Sequence, residues 1–259
     1  MELQFITIDV NEGVALVTLN HPPVNALSPK VVDELEAAFK TIEADPQVRA
    51  VVLTGHGPKI FVAGADIKAM MGMNSAQAEE LALTGQAALN RLQNMPKLSI
   101  CALNGMALGG GLELAMACDI RLCAEHATLG QPEINLGIIP GFGGTQRLTR
   151  FVGIARAKEM LLTGDPISAQ TALEWGLVNH VLPADQVLPK AMEIAHKVAA
   201  KAPVAQQLIH DAVERGIEMP LANALRVEAD NFRKVFETED KNEGIRAFIE
   251  KRVPHFQGK

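Results

Sequence analysis

Two carboxylates stand apart from the other acids because each sits in a glycine-rich, otherwise apolar run. Glu113 lies in Asn104–Asp119 (NGMALGGGLELAMACD), framed by Leu112 and Leu114. Glu133 is the only acid in Leu129–Leu148 (LGQPEINLGIIPGFGGTQRL). A carboxyl group in an apolar frame loses hydration, which favours its protonated form and suits it to proton transfer near neutral pH. Both residues also have plainer explanations: Glu113 in a first helical turn complements the helix dipole, and Glu133 can be a solvated loop glutamate. Gly109, Gly110 and Gly111, between a strand and a helix, would turn free N–H groups toward a bound negative charge or simply permit close packing. Gly141, Gly143 and Gly144 fit turn residues leading into a helix.

A third stretch, Phe61–Met70 (FVAGADIKAM), has the same strand, tight turn and helix pattern. Its Ala63-Gly64-Ala65 turn is small enough for a ligand to approach the backbone, and Asp66 suits a helix start. Met70, Met71 and Met73 fit either core packing or an adaptable acyl pocket. Other chemistries lack their residues. None of Ser28, Ser75, Ser99 and Ser168 lies in G-x-S-x-G. Neither a Gly-Lys-Ser/Thr ending nor a G-x-G-x-x-G run occurs in the glycine segment. The histidines form no H-E-x-x-H pattern, and Cys118, Cys123 and His126 match no standard zinc spacing, so no metal is expected.

The three segments need a scaffold, and the chain can supply one. With 48% hydrophobic and 21% charged residues, its 259 residues can bury a substantial core. A net charge of −6, with 4% aromatics and no tyrosine, argues against nucleic-acid partners, which need basic surfaces or stacking platforms. The start MELQFITIDVNEG lacks a basic segment followed by an apolar one and does not read as a secretory signal. The most apolar run, Leu98–Leu112, meets Glu113 before reaching membrane-spanning length. Three cysteines (Cys101, Cys118, Cys123) read as reduced thiols. The expectation is a cytoplasmic protein with no membrane partner.

Patterning places strands at Phe5–Val10 and Val14–Leu19 around the turn Asn11-Glu12-Gly13. Ser28-Pro29 opens a helix that carries Val31, Leu35, Phe39 and Ile42 on one face. Strands follow at Arg49–Thr54 and Phe61–Val62, then a helix capped by Ser75 and running to about Asn94. A strand at Leu98–Leu103 leads to a helix from about Gly111, and β character returns at Asp119–Ala124. Helices are expected at Gly143–Val152 and Ala155–Leu162, and a last strand at Leu177–Leu182. Beyond Asp185 only helical segments remain, punctuated by Pro203, Pro220 and a Thr238 cap. This is an α/β core, residues 1–195, followed by a helical region, residues 196–259.

Together, the three segments in this order and separation resemble the crotonase (enoyl-CoA hydratase/isomerase) superfamily from about Phe5 to Phe256. The resemblance implies a crotonase/ClpP-like spiral of repeated ββα units with a C-terminal α-helical region, assembled as homotrimers or dimers of trimers. It matches Ala65 and Gly110 to the backbone N–H groups of an oxyanion hole for a thioester carbonyl. Glu113 and Glu133 match the catalytic pair of true hydratases, and Gly141 a backbone group near the reacting water. Ala63, Asp66, Ile67 and Lys68 match the stretch beside bound coenzyme A. Phe232, Phe248 and Lys251 fall in the C-terminal helices that cover coenzyme A, across a subunit interface in some arrangements. The implied activity is hydration of 2-trans-enoyl-CoA in fatty-acid β-oxidation, with coenzyme A part of the substrate and no tightly bound cofactor. A Δ3-Δ2 enoyl-CoA isomerase or another acyl-CoA lyase is the neighbouring alternative. Less favoured are an RNA-binding relative and a noncatalytic assembly subunit.

Overall fold

The computed structural model describes residues 3–259, so Met1 and Glu2 of the expected 1–195 core lie outside the described residues. The chain opens with the hairpin β1 (Ile6–Asn11) and β2 (Val14–Leu19), then α1 (Pro29–Ala44). Ser28 caps α1, its hydroxyl accepting from Val31 N–H at 3.3 Å, with Pro29 at the first helical position. Such a cap contributes about 1 kcal/mol. The predicted apolar face is buried in full at Val31, Leu35, Phe39 and Ile42.

Three successive units then repeat one pattern: a long strand, a short strand, and a helical segment. The first is β3 (Ala50–Gly55), β4 (Ile60–Val62), α2 (Ile67–Met70) and α3 (Ser75–Asn94). The second is β5 (Leu98–Leu103), β6 (Met106–Leu108) and α4 (Gly110–Met116). The third is β7 (Ile120–Ala124), β8 (Thr128–Gly130) and a 3-10 turn at Pro132–Leu136. There follow α5 (Gly144–Val152), α6 (Ile154–Thr163), β9 (Ile167–Ser168), α7 (Ala169–Glu174), β10 (His180–Leu182) and α8 (Ala184–Ala199). The tail is α9 (Pro203–Gly216), α10 (Leu221–Val235) and α11 (Glu239–Glu250).

The long strands join in one six-stranded sheet, β1-β2-β3-β5-β7-β10, parallel except for the first hairpin. The short ones form a second sheet, β4-β6-β8-β9, parallel except for the β8–β9 pair. Helix α8 covers the larger sheet with Val187, Ala191 and Ala195. Strand β3 is buried along its whole length, as a continuous apolar run in a covered parallel sheet requires.

Several expectations shift. Asn74, not Ser75, caps α3: its side chain accepts from Gln77 N–H, and the Gln77 side chain accepts from Asn74 N–H, both at 3.0 Å. The last strand is only His180–Leu182, while Leu177 and Val178 are buried in the turn before it. Strands β6, β8 and β9, two or three residues each, escaped sequence reading because alternation cannot show over so short a span. Residue 195 falls inside α8, which continues to Ala199.

Candidate active site

The smaller sheet explains why three distant segments meet. Strands β4, β6 and β8 are parallel neighbours, so their carboxyl ends lie side by side. β4 leads into Ala63-Gly64-Ala65, β6 into Gly109 and α4, and β8 into Gln131 and the 3-10 turn bearing Glu133. Ligands in parallel α/β sheets are met at these strand ends, where helix starts present free N–H groups. A cavity of about 750 Å3 opens here.

Glu113 lies in the first turn of α4 and is 2% exposed. Its Oε1 accepts N–H groups from Phe142 at 2.8 Å and Gly144 at 2.6 Å, which aim the carboxyl group. Burial pushes its pKa up to about 7, with the charge of Glu133 adding to the rise. The two backbone N–H groups and Arg147 pull the other way. Glu133 is half-buried and lines the same cavity, and burial raises its pKa as well. Glu133 is thus not a fully solvated loop residue, and Glu113, in the first turn of α4, lines the cavity with it.

Ala65 and Gly110 also line the cavity. Leu27 bridges the backbone beside Ala65, donating to Gly64 O at 2.8 Å and accepting from Asp66 N–H at 3.1 Å. That pattern leaves the Ala65 N–H unused. Gly110 is the first residue of α4, where no earlier turn supplies an acceptor. Among the described residues, neither N–H has a protein partner. The glycines differ in purpose. Gly109 has φ +49°, and a Cβ there would come within 2.7 Å of Glu133 Oε1; a Cβ on Gly111 would overlap the Val62 carbonyl. Gly110 keeps clear the space beside the Ala65 nitrogen, which a Cβ would approach to 3.4 Å.

The remaining candidates divide. Ala63, Ile67 and Gly141 line the cavity, and the Gly141 carbonyl accepts from Gln86 Nε2 at 2.8 Å. Asp66 caps α2, accepting from Lys68 N–H at 3.0 Å, and the Lys68 side chain is exposed. Met70 and Met73 line the cavity, while Met71 is exposed. Phe232, Phe248 and Lys251 sit on the surface of the tail and are not among the cavity's lining residues; Phe248 is 85% exposed. Lys251 ends α11 with φ +56°.

Sequence reading missed Gln131, Gln86 and Arg147. Gln131 is fully buried two residues before Glu133, a proximity that was the only available signal. The three cysteines are free and buried, and His126 pairs with the Pro58 carbonyl at 3.1 Å. His210 meets Asp119 at 3.3 Å, and that carboxylate also accepts from Ser99 N–H and hydroxyl. This pair ties α9 to the core. No helix among the described residues is long and apolar enough to cross a membrane.

The ββα-repeat fold gathers two carboxyl groups of raised pKa and two unengaged backbone N–H groups around one cavity, an arrangement able to exchange a proton and to stabilise negative charge on an oxygen. The enoyl-CoA hydratase/isomerase family profile matches residues 9–259, and the chain belongs to that family. It is 45% identical over 253 residues to the short-chain-enoyl-CoA hydratase of Clostridium acetobutylicum, covering 97% of both chains. It is 42% identical to the crotonyl-CoA hydratase of Syntrophomonas wolfei, covering all of both. Among solved structures, the enoyl-CoA hydratase of Bacillus anthracis superposes with a TM-score of 0.95 at 42% identity, covering 99% of this chain and 100% of that one.

Proposed function

We propose that this chain is an enoyl-CoA hydratase, a carbon–oxygen lyase that adds water to 2-trans-enoyl-CoA to give 3-hydroxyacyl-CoA. The observation that carries the reading is the meeting of Glu113 and Glu133 in one cavity with the free N–H groups of Ala65 and Gly110. The full-length relatives with hydratase names support it.

In this scheme the thioester oxygen accepts from Ala65 and Gly110 N–H, and charge grows there as water oxygen bonds to C3. Each donor contributes roughly 3 kcal/mol in the transition state. Glu113, held by two N–H groups and titrating near neutrality, takes the proton from water. Glu133 gives a proton to C2. Burial and mutual repulsion disfavour ionising both carboxyls, so the resting pair holds one proton. Gly141 lies beside the water position. Coenzyme A runs past Ala63, Asp66, Ile67 and Lys68, with Phe232, Phe248 and Lys251 completing its cover from the tail of a neighbouring copy in a trimer or hexamer. β-Oxidation in the cytoplasm is the setting this chemistry suits.

The test is purified protein with a series of 2-enoyl-CoA thioesters, following loss of the conjugated chromophore. Glu113→Gln and Glu133→Gln are each expected to lower kcat by about 10²–10⁴ with the fold unchanged. Wild-type turnover in both folded variants overturns the assignment. Conversion of 3-enoyl to 2-enoyl thioesters without hydration would instead mark an isomerase.

A further inference from the structure

Arg147 on α5 is nine-tenths buried, yet no carboxylate lies within ion-pair distance of it among the described residues. A buried cation without a paired anion costs free energy unless hydrogen bonds compensate. Its guanidinium spends all three nitrogens on neutral acceptors: Nη1 donates to the Phe142 carbonyl at 2.9 Å, Nε to Gln93 Oε1 at 2.8 Å, and Nη2 to Asn90 Oδ1 at 2.7 Å. Two of these acceptors stand on α3, and the third is in the loop that holds Glu113. Phe142 is therefore gripped at both ends, its N–H on Glu113 and its carbonyl on Arg147.

We propose that Arg147 is a positioning residue for Glu113: by anchoring the Phe142 carbonyl to α3 it fixes the backbone N–H groups that aim the carboxylate. Its positive charge is also of the sign that favours ionised Glu113. The kinetic consequence rests on the hydratase reading; the geometry stands without it. Arginine reaches the three acceptors with three separate nitrogens of a rigid fork, whereas a lysine offers all its donors from one nitrogen. The charged groups facing Glu113 are Glu133 from the 3-10 turn and Arg147 from α5. Those facing Arg147 are Glu113 on α4, Glu214 on α9 and Arg150 on its own helix.

Three variants test the assignment: Arg147→Met, Arg147→Lys and Asn90→Ala. Loosening the loop is expected to lower kcat by roughly 10–100-fold in Arg147→Met, as sub-ångström to ångström displacements of catalytic groups do, with KM within about twofold. The acidic limb of the kcat profile should move to higher pH in Arg147→Met and stay in place in Arg147→Lys, which keeps the charge but loses the fork. Asn90→Ala should lower kcat by a few-fold at unchanged KM. A second readout needs no turnover: carboxyl 13C titration of Glu113, assigned by its loss in Glu113→Gln, should move upward in Arg147→Met. A folded Arg147→Met with wild-type kcat, acidic limb and titration overturns the proposal. So does equal loss in the Met and Lys variants with neither limb nor titration moved, which is the behaviour of a structural staple. If Arg147→Met fails to fold, wild-type kcat in both Arg147→Lys and Asn90→Ala overturns it. A wild-type protein inert toward every enoyl thioester refutes the hydratase reading, while the titration still judges Arg147.

Discussion

The side-chain amide of Gln131 faces the carboxyl group of Glu133, one end of it 3.0 Å from Oε1 and 3.1 Å from Oε2. Gln131 is fully buried, so water does not replace it on that side. An amide nitrogen at that end donates to ionised Glu133, and an amide oxygen there accepts from protonated Glu133. With the nitrogen at that end, both ends of the amide meet complementary partners, so Gln131 holds Glu133 as a hydrogen-bond donor.

Gln131→Leu removes that donor. A hydrogen bond to the charged form is the stronger of the two, so its loss disfavours ionised Glu133 more than protonated Glu133. The pKa of Glu133, already raised by burial, should climb further. The basic limb of the kcat profile is expected to move to higher pH, with kcat down about tenfold. A pH–rate series on 2-enoyl-CoA reads both; an unmoved basic limb removes Gln131 from this role.

Gly110→Pro removes one backbone donor and sets a ring in the space beside the Ala65 nitrogen that glycine keeps clear. Proline is tolerated at the first position of a helix, where its missing N–H would have no helical partner, and Gly110 is that residue in α4. The substitution deletes the N–H proposed above to meet the thioester oxygen. The expected result is kcat lower by about 10²–10³, with far-ultraviolet circular dichroism unchanged. A folded variant with near-native turnover would relocate the oxyanion site.

Glu113 should cost stability where it is useful. Its folded pKa of about 7 lies above its ordinary value of 4.5, because burial outweighs the two N–H bonds. The folded state therefore binds its proton more tightly than the unfolded chain does. That stabilisation is complete below about pH 4.5 and disappears as pH rises to about 7. The difference is about 3 kcal/mol between the two ends of the window. Glu113→Gln, which keeps an oxygen acceptor for Phe142 and Gly144, should be more stable than wild type at pH 8, with the advantage shrinking toward pH 5. Urea unfolding at the two pH values measures it, and an advantage that grows toward acid would reverse the sign of the argument.

Exposed Lys68 stands next to the turn that would flank coenzyme A, on a protein of net charge −6. Lys68→Ala should raise KM more at low ionic strength than at high, because the attraction it offers to phosphates is screened by salt. Equal KM ratios at the two salt concentrations would take Lys68 off the phosphate path.

Much of this was legible in one dimension. The helix at Pro29 shows in its cap and in a regular apolar face, because side-chain period follows backbone geometry. Glu113 and Glu133 show as isolated acids in apolar frames, and Gly109–Gly111 as a cluster that no helix or strand interior favours. Strands β6 and β8 do not show, since three residues carry no period.

What the folded chain alone decides is adjacency. Residues 65, 110 and 133 meet because β4, β6 and β8 are parallel neighbours in the second sheet, an ordering that sequence patterning does not encode. The Phe142 and Gly144 N–H groups reach Glu113 across about thirty positions of chain, and Arg147 spans further to Asn90 and Gln93 on α3. Composition and periodicity settle which residues are apolar, capped or turned, as these are properties of neighbours along the chain. The pKa of a carboxyl group and the freedom of an N–H depend on what lies within a few ångströms, and only packing determines that.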